Sequence, residues 1–138
     1  MSRVLVLDCE ALSALSGRPS RRQEEVRAAM RAAARLQRDV TVPTVILAEL
    51  YRGPAPNHMI DSCLSRETGL RTRDTDRPLA RLVGGVLTAA GADSGHLADA
   101  HVVAAAIEAG GGVVLTGDED DLRTLAAPYP NIVIQPLP

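Results

Sequence analysis

Four carboxylates stand where this sequence has least use for them. Asp8 ends the apolar run 4–7, and Asp118 follows the apolar run 113–116 after a single glycine. Glu49 and Asp99 interrupt helical patterns at positions where an apolar side chain is expected. Taken singly, each has a structural explanation. Aspartate is favoured at helix N-caps, which suits Asp8 and Asp118. Glu49 can pair with Arg52, and Asp99 can belong to an outward face. Taken together, four such exceptions in one small domain point to a shared site. Clustered carboxylates raise one another's pKa, and a divalent cation removes that penalty. With no His or Cys cluster beside them, an oxygen-only donor set selects Mg2+ or Mn2+ over zinc. Such an ion lowers the pKa of bound water and stabilises the leaving oxygen in phosphodiester cleavage. The residues therefore point to metal-dependent phosphoryl hydrolysis. Two assignments stay open at this level. Asp93 competes with Asp99, although its place before Ser94 suits a loop, and Asp120 competes with Asp118, which is nearer the strand end.

The elements around these acids follow from periodicity. Four consecutive apolar residues before Asp8 read as a strand buried on both faces, as in parallel sheets, and ligand crevices in such sheets lie outside the strands' carboxyl ends. A short helix is expected over 9–15, ending at Gly17. Ser20 opens a longer one to about residue 38, with capping-box spacing to Gln23 and with Glu24 and Glu25 at its positive end. Its apolar stripe is Val26, Met30 and Ala33. Arg27, Arg31, Arg35 and Arg38 line another face, either solvated or contacting phosphates. A strand over 40–42 follows, then Pro43 in the first turn of a helix over 44–51. That helix is apolar almost all round and so is expected to be buried, which leaves Glu49 in need of Arg52 or a cation. Gly53 and Pro54 end it.

Residues 57–66 read as a helix with Met59, Ile60, Cys63 and Leu64 inward, and 70–72 as an edge strand. Asp76 caps a helix with Pro78 at its start; Leu79, Leu82, Val83, Val86, Leu87 and Ala90 form its stripe and Gly91 closes it. Ser94 is expected to cap a helix over 96–109. There Val102, Val103, Ala106 and Ile107 point inward, Asp99 shares their side, and His101 falls on the surface. A strand over 113–116, a helix over 122–126 and a strand over 131–134 complete the chain. Strands alternate with helices, so the expected fold is α/β: a three-layer α/β/α domain with a mainly parallel central sheet, one domain over 1–138.

Composition narrows the function classes. All 15 Lys+Arg residues are arginine. Without lysine there is no P-loop and no Schiff-base chemistry. The core must be aliphatic, since Phe and Trp are absent and Tyr51 and Tyr129 are the only aromatics of that class. A net charge of −2 gives no global basic field. Cys9 and Cys63 show no C-x-x-C spacing and read as free thiols of a reducing compartment. No leader or membrane span is legible, so a cytoplasmic protein without membrane partners is expected.

The ordered set of motifs resembles the PIN-domain ribonucleases, most closely the VapC toxins of bacterial toxin–antitoxin pairs. It comprises Val6-Leu7-Asp8, Ala48-Glu49-Leu50-Tyr51-Arg52-Gly53, Leu97-Ala98-Asp99-Ala100-His101 and Thr116-Gly117-Asp118-Glu119-Asp120-Asp121-Leu122, with Ala80-Arg81-Leu82-Val83-Gly84 preceding the third acid. The resemblance covers nearly the whole chain. It implies a PIN-like fold and an acidic quartet of Asp8, Glu49, Asp99 and Asp118. Asp8 and Asp99 would be the main Mg2+ (or Mn2+) ligands, Glu49 and Asp118 would complete the site, and Thr116 and Asp121 would support it. It further implies an endoribonuclease acting on RNA such as tRNA or ribosomal RNA, a homodimer, and a cognate antitoxin. Two other readings compete. A non-catalytic PIN scaffold would bind RNA or a protein and be indifferent to loss of an acid. A HAD-like phosphatase would need a second Asp where Glu10 stands, and a lysine.

Overall fold

The structure, a computed structural model, describes residues 3–138; Met1 and Ser2 of the expected domain lie outside the described residues. The chain alternates β1 (Val4–Leu7), α1 (Cys9–Ser16), α2 (Arg21–Arg35), β2 (Asp39–Pro43), α3 (Thr44–Leu50), α4 (Pro54–Arg66), β3 (Leu70–Arg73), α5 (Arg77–Ala90), α6 (Leu97–Glu108), β4 (Gly112–Thr116), α7 (Glu119–Ala126) and β5 (Ile132–Pro136). A single 3-10 turn, Ser94–His96, leads into α6. All pairings in the five-stranded sheet are parallel, in the order β3-β2-β1-β4-β5. This is the expected α/β/α layering. Helix α6 lies over β1, β2 and β4, with α5 and α7 beside it, and α2 packs on β1 and β2 together with α1.

β1 is the centre of the sheet, and all four of its residues are buried. The strand order reverses beside it, so the carboxyl ends of β1 and β4 open the crevice where open α/β sheets bind ligands. Leu7 pairs with Leu115, and the Asp8 N–H donates to the Leu115 carbonyl at 3.2 Å. Close pairing here depends on Gly112, where a Cβ would overlap the Val4 carbonyl oxygen.

Several local expectations are corrected. Pro43 ends β2 instead of entering the helix, and Pro54 opens α4 instead of only ending α3. α3 is not buried all round. Its neighbours α1, α4, α6 and β2 cover Ile46 and Leu47 but leave Ala48 and Glu49 exposed. Arg52 donates to the Ala48 and Tyr51 carbonyls and does not pair with Glu49. Met59 is 42% exposed, not inward. α2 stops at Arg35 because Gln37 turns into the left-handed region at φ 55°. Asp93, not Ser94, caps the turn before α6, accepting from the Gly95 N–H at 2.9 Å. His101 is 5% exposed, not on the surface. Its ring nitrogens meet the Leu97 carbonyl at 2.8 Å and Thr75 Oγ1 at 2.9 Å, because the segment leading into α5 folds over that side of α6.

Candidate metal centre

Asp8 holds two places at once. Coming directly off β1, it is the N-cap of α1, with Oδ1 accepting from the Ala11 N–H at 2.8 Å. It is also 4% exposed. Burial pushes its pKa up, opposed by the Thr116 hydroxyl and the Ala11 amide. The capping explanation is therefore met, and the cap engages Oδ1 of the carboxylate.

Thr116, fully buried at the end of β4, organises the other side. Its Oγ1 accepts from the Asp118 N–H and donates to the Asp118 carbonyl, both at 2.9 Å. This pins the turn from β4 into α7. At Gly117 within that turn a Cβ would meet Glu10 Oε2 and Arg22 Nη1, the ends of two exposed side chains that would have to shift. Glu10 and Arg22 form a 3.1 Å ion pair at this point.

Asp99, in the first turn of α6, is the focus of the charges. Its pKa rises to about 6, first through burial and then through the negative charges of Asp8, Asp121 and Glu49, while His96 acts in the opposite sense. Asp8, Glu49, Asp99 and Asp121 are thus brought together from β1, α3, α6 and α7. Asp121 enters this group although its expected role was only supporting. Asp118 is exposed at the carboxyl end of β4, held through its backbone, and its side chain makes no cap bond. Asp120 is exposed one turn-position further on, and Asp93 is occupied as a cap.

Periodicity missed one member of the site. His96 Nδ1 lies 3.9 Å from Asp121 Oδ2. One donor atom from each of His96, Asp99 and Asp121 lies within 4.8 Å of the others. The signal was available: His96 precedes Asp99 by three residues, a spacing that places both on one helix face.

The Cys9 thiol lies beside Glu49. Burial, then the Glu49 and Asp8 charges, push its pKa up to about 11, so it is neutral near pH 7 and unsuited to nucleophilic attack. The chemistry available is that of clustered carboxylates with open, water-facing positions. This donor set fits a divalent cation, because a cation would offset the mutual repulsion that Asp99 records. Alongside the acids, a cavity of about 380 Å³ between α1 and α2 is lined by Glu10, Ser13, Arg18, Ser20 and Arg22.

Comparisons with known proteins agree with this architecture. Residues 5–128 match the family model described as PIN domain. Among solved structures, VapBC2 from Rickettsia felis, bound to a DNA fragment from its promoter, is similar with a TM-score of 0.63 at 14% identity, covering 98% of this chain and 99% of that one. A toxin–antitoxin complex from Klebsiella pneumoniae gives 0.64 at 17% identity, covering 94% of this chain and 95% of the other. DNA-bound VapBC from Salmonella typhimurium gives 0.59 at 17%, covering 99% and 98%. No curated protein matches the chain.

Proposed function

The chain belongs to the PIN domain family, and from that premise we propose that it is a metal-dependent endoribonuclease, the toxin of a VapBC-like toxin–antitoxin pair. The observation that carries the reading is the convergence of Asp8, Glu49 and Asp121 on Asp99 at the carboxyl ends of the central strands. The likeness to toxin–antitoxin complexes supports the toxin assignment and a protein antitoxin as partner. RNA is the substrate class, with tRNA and ribosomal RNA as candidates, and a cytoplasmic homodimer over residues 1–138 is the expected form. The HAD-like alternative loses its footing, since Glu10 is committed to Arg22 at the rim.

In this reading Asp8 and Asp99 hold a Mg2+ or Mn2+ ion. Glu49, Asp118 and Asp121 complete its surroundings directly or through water. The ion supplies an acidified water and a charge to stabilise the leaving oxygen. Asp8 is held by its cap bond, in which Oδ1 accepts from the Ala11 N–H. Thr116 also fixes the turn that carries Asp118, and α7 delivers Asp121 to Asp99. Arg18 and Arg22 line the cavity beside Glu10, where the phosphates of a bound strand can be met.

The test is RNA cleavage by the purified chain, freed of any co-purifying partner, with Mg2+ or Mn2+, with EDTA, and with Asp99→Asn. Cleavage lost in both the EDTA and the Asp99→Asn arms is the expected outcome. Cleavage that survives Asp99→Asn sinks the reading. A non-catalytic scaffold predicts that RNA or antitoxin binding persists and that no quartet substitution changes the phenotype.

A further inference from the structure

Of the three histidines, two are accounted for. His101 is buried with both ring nitrogens engaged, and His58 meets Ser62 on an exposed helix face. His96 differs. Among the described residues its nearest polar partner is Asp121, at 3.9 Å, which is too long for a hydrogen bond. The ring is therefore held against two carboxylates with its donor capacity unspent. It stands at the N-cap position of α6, three residues before Asp99, while Asp121 comes from α7. The side chains of His96 and Asp121 are 39% and 55% exposed, so both can rotate without disturbing the core. The three donor atoms lie within 4.8 Å of one another. Donors around an ion with bonds near 2.1 Å sit about 3 Å apart, so a modest inward rotation completes the set.

We infer that His96 is a nitrogen ligand of this centre, making it a mixed His/carboxylate site that discriminates for Mn2+ and later first-row ions over Mg2+. The inference rests on the metal-dependent reading above. Imidazole suits transition ions, whereas Mg2+ demands hard oxygen donors and dehydrates reluctantly. An all-carboxylate site has no such preference built in.

The experiment uses the full chain stripped of metal and loaded with Mn2+ alone or Mg2+ alone. Pulsed EPR of the Mn2+ form should show a histidine-nitrogen coupling that changes when histidine is labelled with the heavy nitrogen isotope. The coupling should vanish in His96→Gln and persist in His58→Gln. Mn2+ affinity of His96→Gln should fall by about tenfold, and Mg2+ affinity by no more than about twofold. A coupling absent from the wild type, one that survives His96→Gln, or equal losses for both ions overturns the inference. The isotope-labelled wild type decides the point even if the variant misfolds. Wild-type chain that binds no Mn2+, or binds it equally well as Asp99→Asn, overturns the metal reading itself. Mn2+ binding that depends on Asp99 but shows no nitrogen coupling removes His96 alone.

Discussion

Asp99 carries a charge conflict that stability measurements can detect. Its carboxyl titrates near 6 in the fold against 3.8 as the ordinary value. The folded state therefore binds this proton more tightly than the unfolded chain does. Metal-free stability should fall as pH rises from about 4 to about 6 and show no further loss from this group above that. It follows that Asp99→Asn, while abolishing cleavage, should stabilise the metal-free protein at pH 7 by on the order of 1 kcal/mol, after discounting for the group's partial solvent contact. Urea unfolding at pH 4 and pH 7 checks this, and a variant less stable than wild type at pH 7 would refute it. Asp8 is a different case, because its cap role survives amidation. Asp8→Asn keeps the cap and removes a buried charge, so it should hold or raise metal-free stability, whereas Asp8→Ala should cost about 1 kcal/mol relative to Asp8→Asn through loss of the Ala11 bond. Both should lose cleavage, which separates the charge from the cap.

At the scale of elements, what could be read locally was read well. Asp8 was legible as the end of a buried strand because burial on both faces leaves an uninterrupted apolar run. The helices with sharp stripes, α2 and α5, were legible for the same reason. What failed depended on neighbours remote in sequence. Glu49 was expected to be buried because α3 is apolar on every side, but the elements packed around α3 leave its Ala48–Glu49 edge open. His101 was expected outside because nothing in α6 marks the side over which residues 75–77 fold. Asp121 and His96 were underrated because they sit on separate elements whose docking alone brings them to Asp99. The His101 packing is itself testable. His101→Ala should destabilise by roughly 1–3 kcal/mol by emptying a buried ring site and removing its bonds to Thr75 and the Leu97 carbonyl. Denaturant unfolding of the metal-free chain reads it, and a change within a few tenths of a kcal/mol would contradict it.

For the molecule as a whole, the charge balance and the metal are linked. The chain carries a net −2, and the charges of Asp8, Glu49 and Asp121 bear on Asp99. No helix among the described residues is long and apolar enough to cross a membrane. A cation bound only by the folded state adds about 2.7 kcal/mol at a hundredfold excess over its dissociation constant. For a domain of this size that should raise Tm by roughly 10 °C. A thermal scan with Mn2+ and with EDTA measures it, and Asp99→Asn should show little of the shift. Equal shifts in wild type and variant would place the ion elsewhere.

The pairing of β1 with β4 sets when the acids can come together. Asp8 is synthesised well before the strand that must lie beside it, which begins at Gly112, and Asp121 arrives later still. At ribosomal speeds the interval between the two strands is about 5–20 s. Through that time the nascent chain gains first Glu49 and, near the end, Asp99, without the strand and helix that gather them with Asp8. The topology thus delays the gathering of these acids until β4 and α7 have been made, however early the preceding elements form.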